Sequence, residues 1–245
     1  MTKETKKWWE KTSAHYQKQC DIPIDVHYGP GSPNEKKLKL LGDVRGKKIL
    51  EIGCGGAQCG IALAKQGAHV IGIDISGEQL KFAWALAKKN QVKIRLLQGD
   101  IKKLPQIKPN SQDIVFSAFA LLYVDDLKSC FEEVHRVLKK KGVFVFSIDH
   151  PFSLTVSSSL RIKRSYFETG KVIEKYGDNT FVSYTHTISE WHNLLVENGF
   201  VVEKMLEPDS RKRYPYDHWY GLWHYTPKFL KLYPQTIIFK CRKGQ

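Results

Sequence analysis

Between residues 47 and 150 the chain alternates between two hydrophobic periods, and this alternation limits its fold more than any other feature. Strand-like apolar stretches fall at Lys48–Gly53, His69–Asp74, Lys93–Gly99, Asp113–Ser117 and Gly142–Asp149. Helical patterns separate them. Ile61, Leu63 and Ala64 precede a stop at Gly67; Leu80, Ala83, Trp84 and Ala87 recur at helical spacing, as do Leu127, Phe131, Val134 and Leu138. Strands with helical spacers imply right-handed crossovers, hence a mostly parallel α/β sheet with helices on both faces. The link 99–113 carries Pro105 and Pro109 and reads as loop.

The flanks differ from this core. Residues 1–46 read as an N-terminal helical cap, with Trp8, Trp9 and Tyr16 on one helical piece. The loop Gly29-Pro30-Gly31-Ser32-Pro33 follows, then a helix from about Asn34 to Leu41. Residues 151–187 form a polar, β-leaning insert. Thr187-Ile188-Ser189-Glu190 reads as a capping box that starts a helix ending at Gly199. Phe200–Glu207 and Gln235–Arg242 read as two last strands, joined by a ring-dense segment with Trp219 and Trp223. No linker divides the chain, so a single domain over 1–245 is expected: a cap (1–46), a core (47–150), and a last part (151–245) with the insert, final helix and terminal strands.

Composition removes several classes. With 42% hydrophobic and 26% charged residues the chain is neither disordered nor fibrous. The five cysteines are scattered and form no Cys-x-x-Cys pair, which argues against a disulfide framework and against a metal site. The longest apolar run, Ile114 to Val124, is too short to span a bilayer, and the N-terminus has no apolar signal core. A cytoplasmic protein without membrane contact is expected. The net charge of +14 is spread evenly, which favours a solvated lysine surface over a nucleic-acid face. The run Lys139-Lys140-Lys141 sits before Gly142, where cations complement a helix C-terminus.

The chemistry concentrates at Ile49-Leu50-Glu51-Ile52-Gly53-Cys54-Gly55-Gly56-Ala57, where a strand runs through a glycine turn into a helix. Glycine lets a ligand approach the backbone closely. Asp74 ends the next strand, where a carboxylate can hold two ribose hydroxyls. A nucleoside-containing ligand follows. A dinucleotide fingerprint would need glycine at position 58, which is Gln58. Glu51, two residues before the first glycine, suits a ligand with an ammonium and a sulfonium better than one with two phosphates.

These residues resemble motif I of the class I S-adenosylmethionine-dependent methyltransferases, with Gly56 and Ala57 where a third glycine is usual. Gln98-Gly99-Asp100-Ile101 resembles the adenine-contacting segment and Asp113–Ser117 resembles motif IV. Arg136–Lys139 with Gly142–Phe146 resembles the helix and strand that follow. Ser147-Ile148-Asp149-His150-Pro151-Phe152 points to the UbiE-like, type 11 small-molecule subgroup. The resemblance implies a Rossmann-like seven-stranded sheet of order 3-2-1-4-5-7-6, its last strand antiparallel, with an aromatic-rich C-terminal lid.

It also implies roles. Gly53, Gly55, Asp74, Ile75, Asp100, Ile101 and the backbone near Ala118 would hold the cofactor. Glu51, Gln79 and Tyr16 are further candidates, although a capping box alone explains Gln79 and packing alone explains Tyr16. Phe119, Tyr123, Trp219 and Trp223 are candidates to line the substrate lid. His150, after the fifth strand, is a candidate general base; the alternative is a histidine fixing the turn at Pro151. The expected reaction moves the methyl of S-adenosylmethionine to an oxygen, nitrogen or carbon of a small molecule, with S-adenosylhomocysteine as product and a monomer or homodimer as catalyst. The alternatives are a transfer-RNA methyltransferase and a non-catalytic S-adenosylmethionine-binding protein.

Overall fold

The structure is a computed structural model that describes all residues except 158, 210, 213–226 and 245. Seven strands build the main sheet: β1 (Lys48–Ile52), β2 (His69–Asp74), β3 (Arg95–Gln98), β4 (Gln112–Ala118), β5 (Leu138–Asp149), β8 (Phe200–Leu206) and β9 (Thr236–Lys243). Their order is β3-β2-β1-β4-β5-β9-β8. Strands β1 to β5 run parallel, while β9 is antiparallel to both neighbours. This is the expected topology of the class I methyltransferase sheet, counted over its seven strands. The insert adds a separate hairpin of β6 (Gly170–Tyr176) and β7 (Asn179–Thr185).

Helices α3 (Gln58–Lys65), α4 (Gly77–Lys89), α5 (Leu127–Val137) and α6 (Ile188–Glu197) follow or precede the strands as the apolar spacing predicts. Alternation along β5 splits the core. Phe144, Phe146 and Ile148 pack with Phe131, Trp191, Phe200 and Phe239 on one face. Val145 packs with Tyr28, Ile49 and Phe116 on the other. The capping box at Thr187 is complete: its hydroxyl receives the Glu190 N–H at 3.1 Å, and the Glu190 carboxylate receives the Thr187 N–H at 2.7 Å.

Two local expectations differ from the structure. Helix α2 is only Glu35–Leu38. Lys39 takes a left-handed φ of 52°, and the Glu35 carboxylate accepts the N–H groups of Leu40 and Leu41, which ends the helix early. The Lys139–Lys141 run lies at the start of β5, not in a helix end. There Lys139 pairs with Asp113 at 2.7 Å, and Lys141 kinks the strand with a φ of 63°. Among the described residues no helix is long and apolar enough to cross a membrane.

The cap places the site. Helix α1 (Lys3–Cys20) lies over the N-terminus of α4 and carries one polar stripe toward it. The Glu10 carboxylate accepts the Gly77 N–H at 2.9 Å, Ser13 approaches Ser76, and Gln17 donates to Gln79 at 2.8 Å. An acid at a helix N-terminus satisfies amides that have no intrahelical partner.

Candidate active site

A cleft opens at the C-terminal ends of β1, β2 and β4, where ligands bind in open parallel sheets. Its floor is the glycine turn. Gly53 has a φ of +66°, and a Cβ there would collide with Ala120. Gly55 has a φ of +52° and donates its N–H to Asp74 at 2.8 Å. A Cβ on Gly56 would lie 2.8 Å from the Gln17 and Gln58 amides. Side chains are thus excluded from the floor, and a ligand can meet backbone.

Asp74 is held rigidly at the cleft wall. Its second oxygen accepts the Ser76 N–H at 2.9 Å. Burial raises its pKa to about 6, against these backbone N–H groups, which favour the charged form. Glu51 is also buried and lines the cleft, and its Oε2 has no hydrogen-bond partner. Burial raises its pKa to about 8, opposed by the Gly60 backbone amide, while the charge of Asp74 adds to the shift. A buried carboxyl on the cleft wall suits a cationic ligand, since unpaired burial of its charge is costly. Burial also lowers His27, which lines the same cleft, to about 4 and pushes the thiols of Cys54 and Cys59 up. The cysteines are therefore thiols rather than nucleophilic thiolates at neutral pH.

The predicted residues are mostly brought together. Tyr16, Glu51, Gly53, Gly55, Asp74, Ile75, Gln79, Ile101, Ala118, Phe119 and Tyr123 all line the cleft. Asp100 does not. Its Oδ2 accepts the Met1 amino group at 2.7 Å and its Oδ1 accepts the Lys102 N–H at 3.0 Å. Phe119 takes a φ of 56° and its ring fills the space beside Gly29, where no Cβ fits.

A second, larger cavity of about 660 Å³ lies between α1, the turn 121–123 and the β6–β7 hairpin. Trp9, Tyr16 and Tyr123 line both cavities, which adjoin at these rings. The Trp9 ring meets Tyr16 edge-on at 5.2 Å and Tyr123 at 5.4 Å. Phe181 of the hairpin continues the wall, 5.2 Å from Trp8 and 5.6 Å from Tyr123. Trp219 and Trp223 lie outside the described residues.

His150 lines neither cavity among the described residues. Its Nε2 bonds Glu207 at 2.8 Å, and its Nδ1 accepts the Phe152 N–H at 3.2 Å. Burial lowers its pKa while Glu207 opposes the shift. Both ring nitrogens are thus engaged in fixing the turn after β5. Instead it is Asp149, the preceding residue, that lines the aromatic chamber, because strand alternation sends the two to different sides.

Sequence reasoning also missed Gln17. Its amide bridges Gln58, which donates to it at 2.6 Å, and Gln79, so that α1, α3 and α4 are joined across the cleft by three buried glutamines. The signal was present: Glu10, Ser13 and Gln17 sit three and four residues apart, a polar stripe on one helix face. Gln58, first notable as a missing glycine, is one member of this chain.

The glycine floor, Asp74 and Glu51 come together at the strand ends of an α/β fold of Rossmann type. Known proteins agree. A family model described as a methyltransferase domain matches residues 50–146. An uncharacterized protein of Haemophilus influenzae is 28% identical over 93% of this chain and 92% of its own length. The ubiquinone biosynthesis O-methyltransferase of Rickettsia canadensis is 26% identical over 81% of this chain and 79% of its own length. A crystal structure of an S-adenosylmethionine dependent methyltransferase from Mesorhizobium loti superposes with a TM-score of 0.65 at 26% identity, covering 84% of this chain and 94% of its own. Residues 50–146 thus match a methyltransferase domain, and over most of its length the chain is similar to S-adenosylmethionine-dependent methyltransferases.

Proposed function

We propose that the chain methylates a small-molecule acceptor held in the aromatic chamber, at an oxygen, nitrogen or carbon atom, and releases S-adenosylhomocysteine. The observation that carries this reading is the shared lining: Trp9, Tyr16 and Tyr123 lie where the cleft adjoins a chamber large enough for a small organic molecule.

The residues present suit S-adenosylmethionine. Its sulfonium supplies an already activated methyl group. Gly53, Gly55 and Gly56 admit the ligand to the backbone, and Asp74 is the carboxylate for the ribose hydroxyls. Glu51 places an acid beside the cationic part, while Ile75 and Ile101 offer apolar surface to the base. The three shared rings exclude water and align the acceptor where cleft and chamber adjoin. Such alignment can supply about 7 kcal/mol or more of the barrier reduction, so no catalytic triad is required.

The test is formation of S-adenosylhomocysteine, followed by mass spectrometry, over a panel of small amines, phenols, carboxylic acids and transfer RNA. Turnover with a small molecule is expected. Salt-sensitive methylation of transfer RNA alone would establish the alternative acceptor. Tight cofactor binding with no turnover on any acceptor would point to the non-catalytic alternative.

A further inference from the structure

Where cleft and chamber adjoin stands a polar group that the protein does not use. Tyr123, 6% exposed, ends the turn 121–123, and Leu121 and Val124 on either side of it are sealed in the core. Its backbone N–H is spent on the Ala120 carbonyl at 3.2 Å. Its ring is held edge-on by Trp9 at 5.4 Å and by Phe181 at 5.6 Å. Its hydroxyl makes no hydrogen bond to any described residue. Nor is that hydroxyl shut in, as the Ser117 and Ser147 hydroxyls are, so it opens on the space that Tyr123 lines, the cleft and the chamber. Burial, with Tyr16 and Asp149 adding to it, pushes the phenol well above its ordinary pKa, so the hydroxyl keeps its proton at neutral pH. A fixed, protonated donor among rings costs free energy once a ligand displaces water, unless that ligand supplies an acceptor atom.

Building on the methyltransferase reading, we propose that the reacting atom of the acceptor is a hydroxyl oxygen, and that the Tyr123 hydroxyl donates a hydrogen bond to it. Tyr123 lines both cavities, and the reacting atom must lie where they adjoin to reach the methyl group. The choice among oxygen, nitrogen and carbon then follows from lone pairs. An atom that meets Tyr123 needs one lone pair for the hydrogen bond and another for the methyl group. A hydroxyl oxygen has two. A neutral amine nitrogen has one, which cannot serve both. Its N–H could meet the phenol oxygen, but the phenol proton would stay unmet. A carbon nucleophile has no lone pair to spare and leaves a buried donor unsatisfied.

The oxygen keeps one lone pair on the Tyr123 hydrogen bond and uses the other to form the O–CH₃ bond, while the pair that held the methyl stays with sulfur. The hydroxyl proton passes to solvent water. Tyr123 gives up no proton. It fixes the direction of the free lone pair, and alignment of that kind lowers the barrier.

The experiment measures dissociation constants of phenol, aniline and toluene by ligand-observed NMR, on full-length wild type and Tyr123→Phe, each saturated with S-adenosylhomocysteine. The three probes share a ring and differ in the group it carries. Tyr123→Phe should weaken phenol roughly fivefold, as expected for one lost hydrogen bond. Aniline should weaken less than twofold and toluene not at all. Because the hydroxyl holds no partner in the free protein, Tyr123→Phe should melt within about two degrees of wild type. Phenol weakened less than threefold, aniline or toluene weakened as much as phenol, no phenol binding to protein that holds S-adenosylhomocysteine, or a larger fall in melting temperature would each overturn the proposal. Failure of S-adenosylhomocysteine itself to bind wild type would instead strike the reading on which it rests.

Discussion

The glycine-turn cleft and the aromatic chamber meet at three rings but are made of different material. The cleft is built from backbone: its floor is a turn where side chains cannot fit, and its key acid is fixed by two main-chain N–H groups. The chamber is built from side chains on α1, the turn 121–123 and a hairpin outside the main sheet. Backbone geometry tolerates few substitutions, whereas a wall of rings can exchange members one at a time. The cleft therefore commits the fold to one kind of ligand, and the chamber leaves the other partner open.

The largest contrast should come from the floor. Gly53→Ala must accommodate both a left-handed φ and contact with Ala120. The expected loss is about 2–5 kcal/mol of stability, from conformational strain plus overpacking. A thermal melt that moves by less than two degrees would show that the floor is as forgiving as the chamber. By the same logic Phe181→Leu in the chamber should leave affinity for S-adenosylhomocysteine within twofold.

Next in size is the wall acid. Asp74→Ala removes a carboxylate suited to two ribose hydroxyls, at about 1.5–3 kcal/mol for each charge-assisted bond. Calorimetry should show affinity for S-adenosylhomocysteine reduced at least tenfold. An unchanged dissociation constant in folded protein would remove Asp74 from the site.

Gln17→Leu addresses the coupling between the regions, since α1 faces both cavities. The change strands the Gln58 and Gln79 amides in a buried setting, which costs about 1–3 kcal/mol. Dissociation of S-adenosylhomocysteine should also quicken, as followed by stopped flow. A slower or equal rate would mean that α1 does not close the cleft.

The smallest effect is in pH. A carboxyl whose folded pKa is raised binds more protons folded than unfolded, so stability falls as pH rises between the two values. Asp74, raised to about 6, finishes contributing near that pH, which leaves Glu51, raised from 4.5 to about 8, to govern the window from 6.5 to 8. Stability of the ligand-free protein should decline there by less than about 1.4 kcal/mol per pH unit and level off above pH 8. Glu51→Gln should flatten the decline. A slope that survives in Glu51→Gln would assign it to another group.

The two regions also differ in how far the sequence discloses them. The sheet and the cleft floor follow from local patterns: apolar period, glycine spacing, and an acid at a strand end; the strand order came only with the family resemblance. Gly53, Asp74 and Ile75 needed no knowledge of distant residues. The positions whose side chains turn away from the cleft depend on tertiary contacts. Asp100 was expected on the cleft, yet its carboxylate turns to the Met1 amino group, a partner 99 positions away in sequence. His150 was expected to face the site, but Glu207, 57 residues on, captures its ring. Gln17 reads as an ordinary helix residue until α1 is laid across Gln58 and Gln79. Alternation along β5 was the one local clue to the chamber, since it separates Asp149 from His150.

The hairpin of β6 and β7 shares no hydrogen-bonded strand with the main sheet. Its register can shift, and its length can change, without disturbing the pairing of β5 with β9 on which the core depends. It contributes Phe181 and Glu174 to the chamber and nothing to the cleft. Insertions and exchanges within 170–185 are thus a route by which descendants of this chain can reshape the chamber while inheriting the cleft intact.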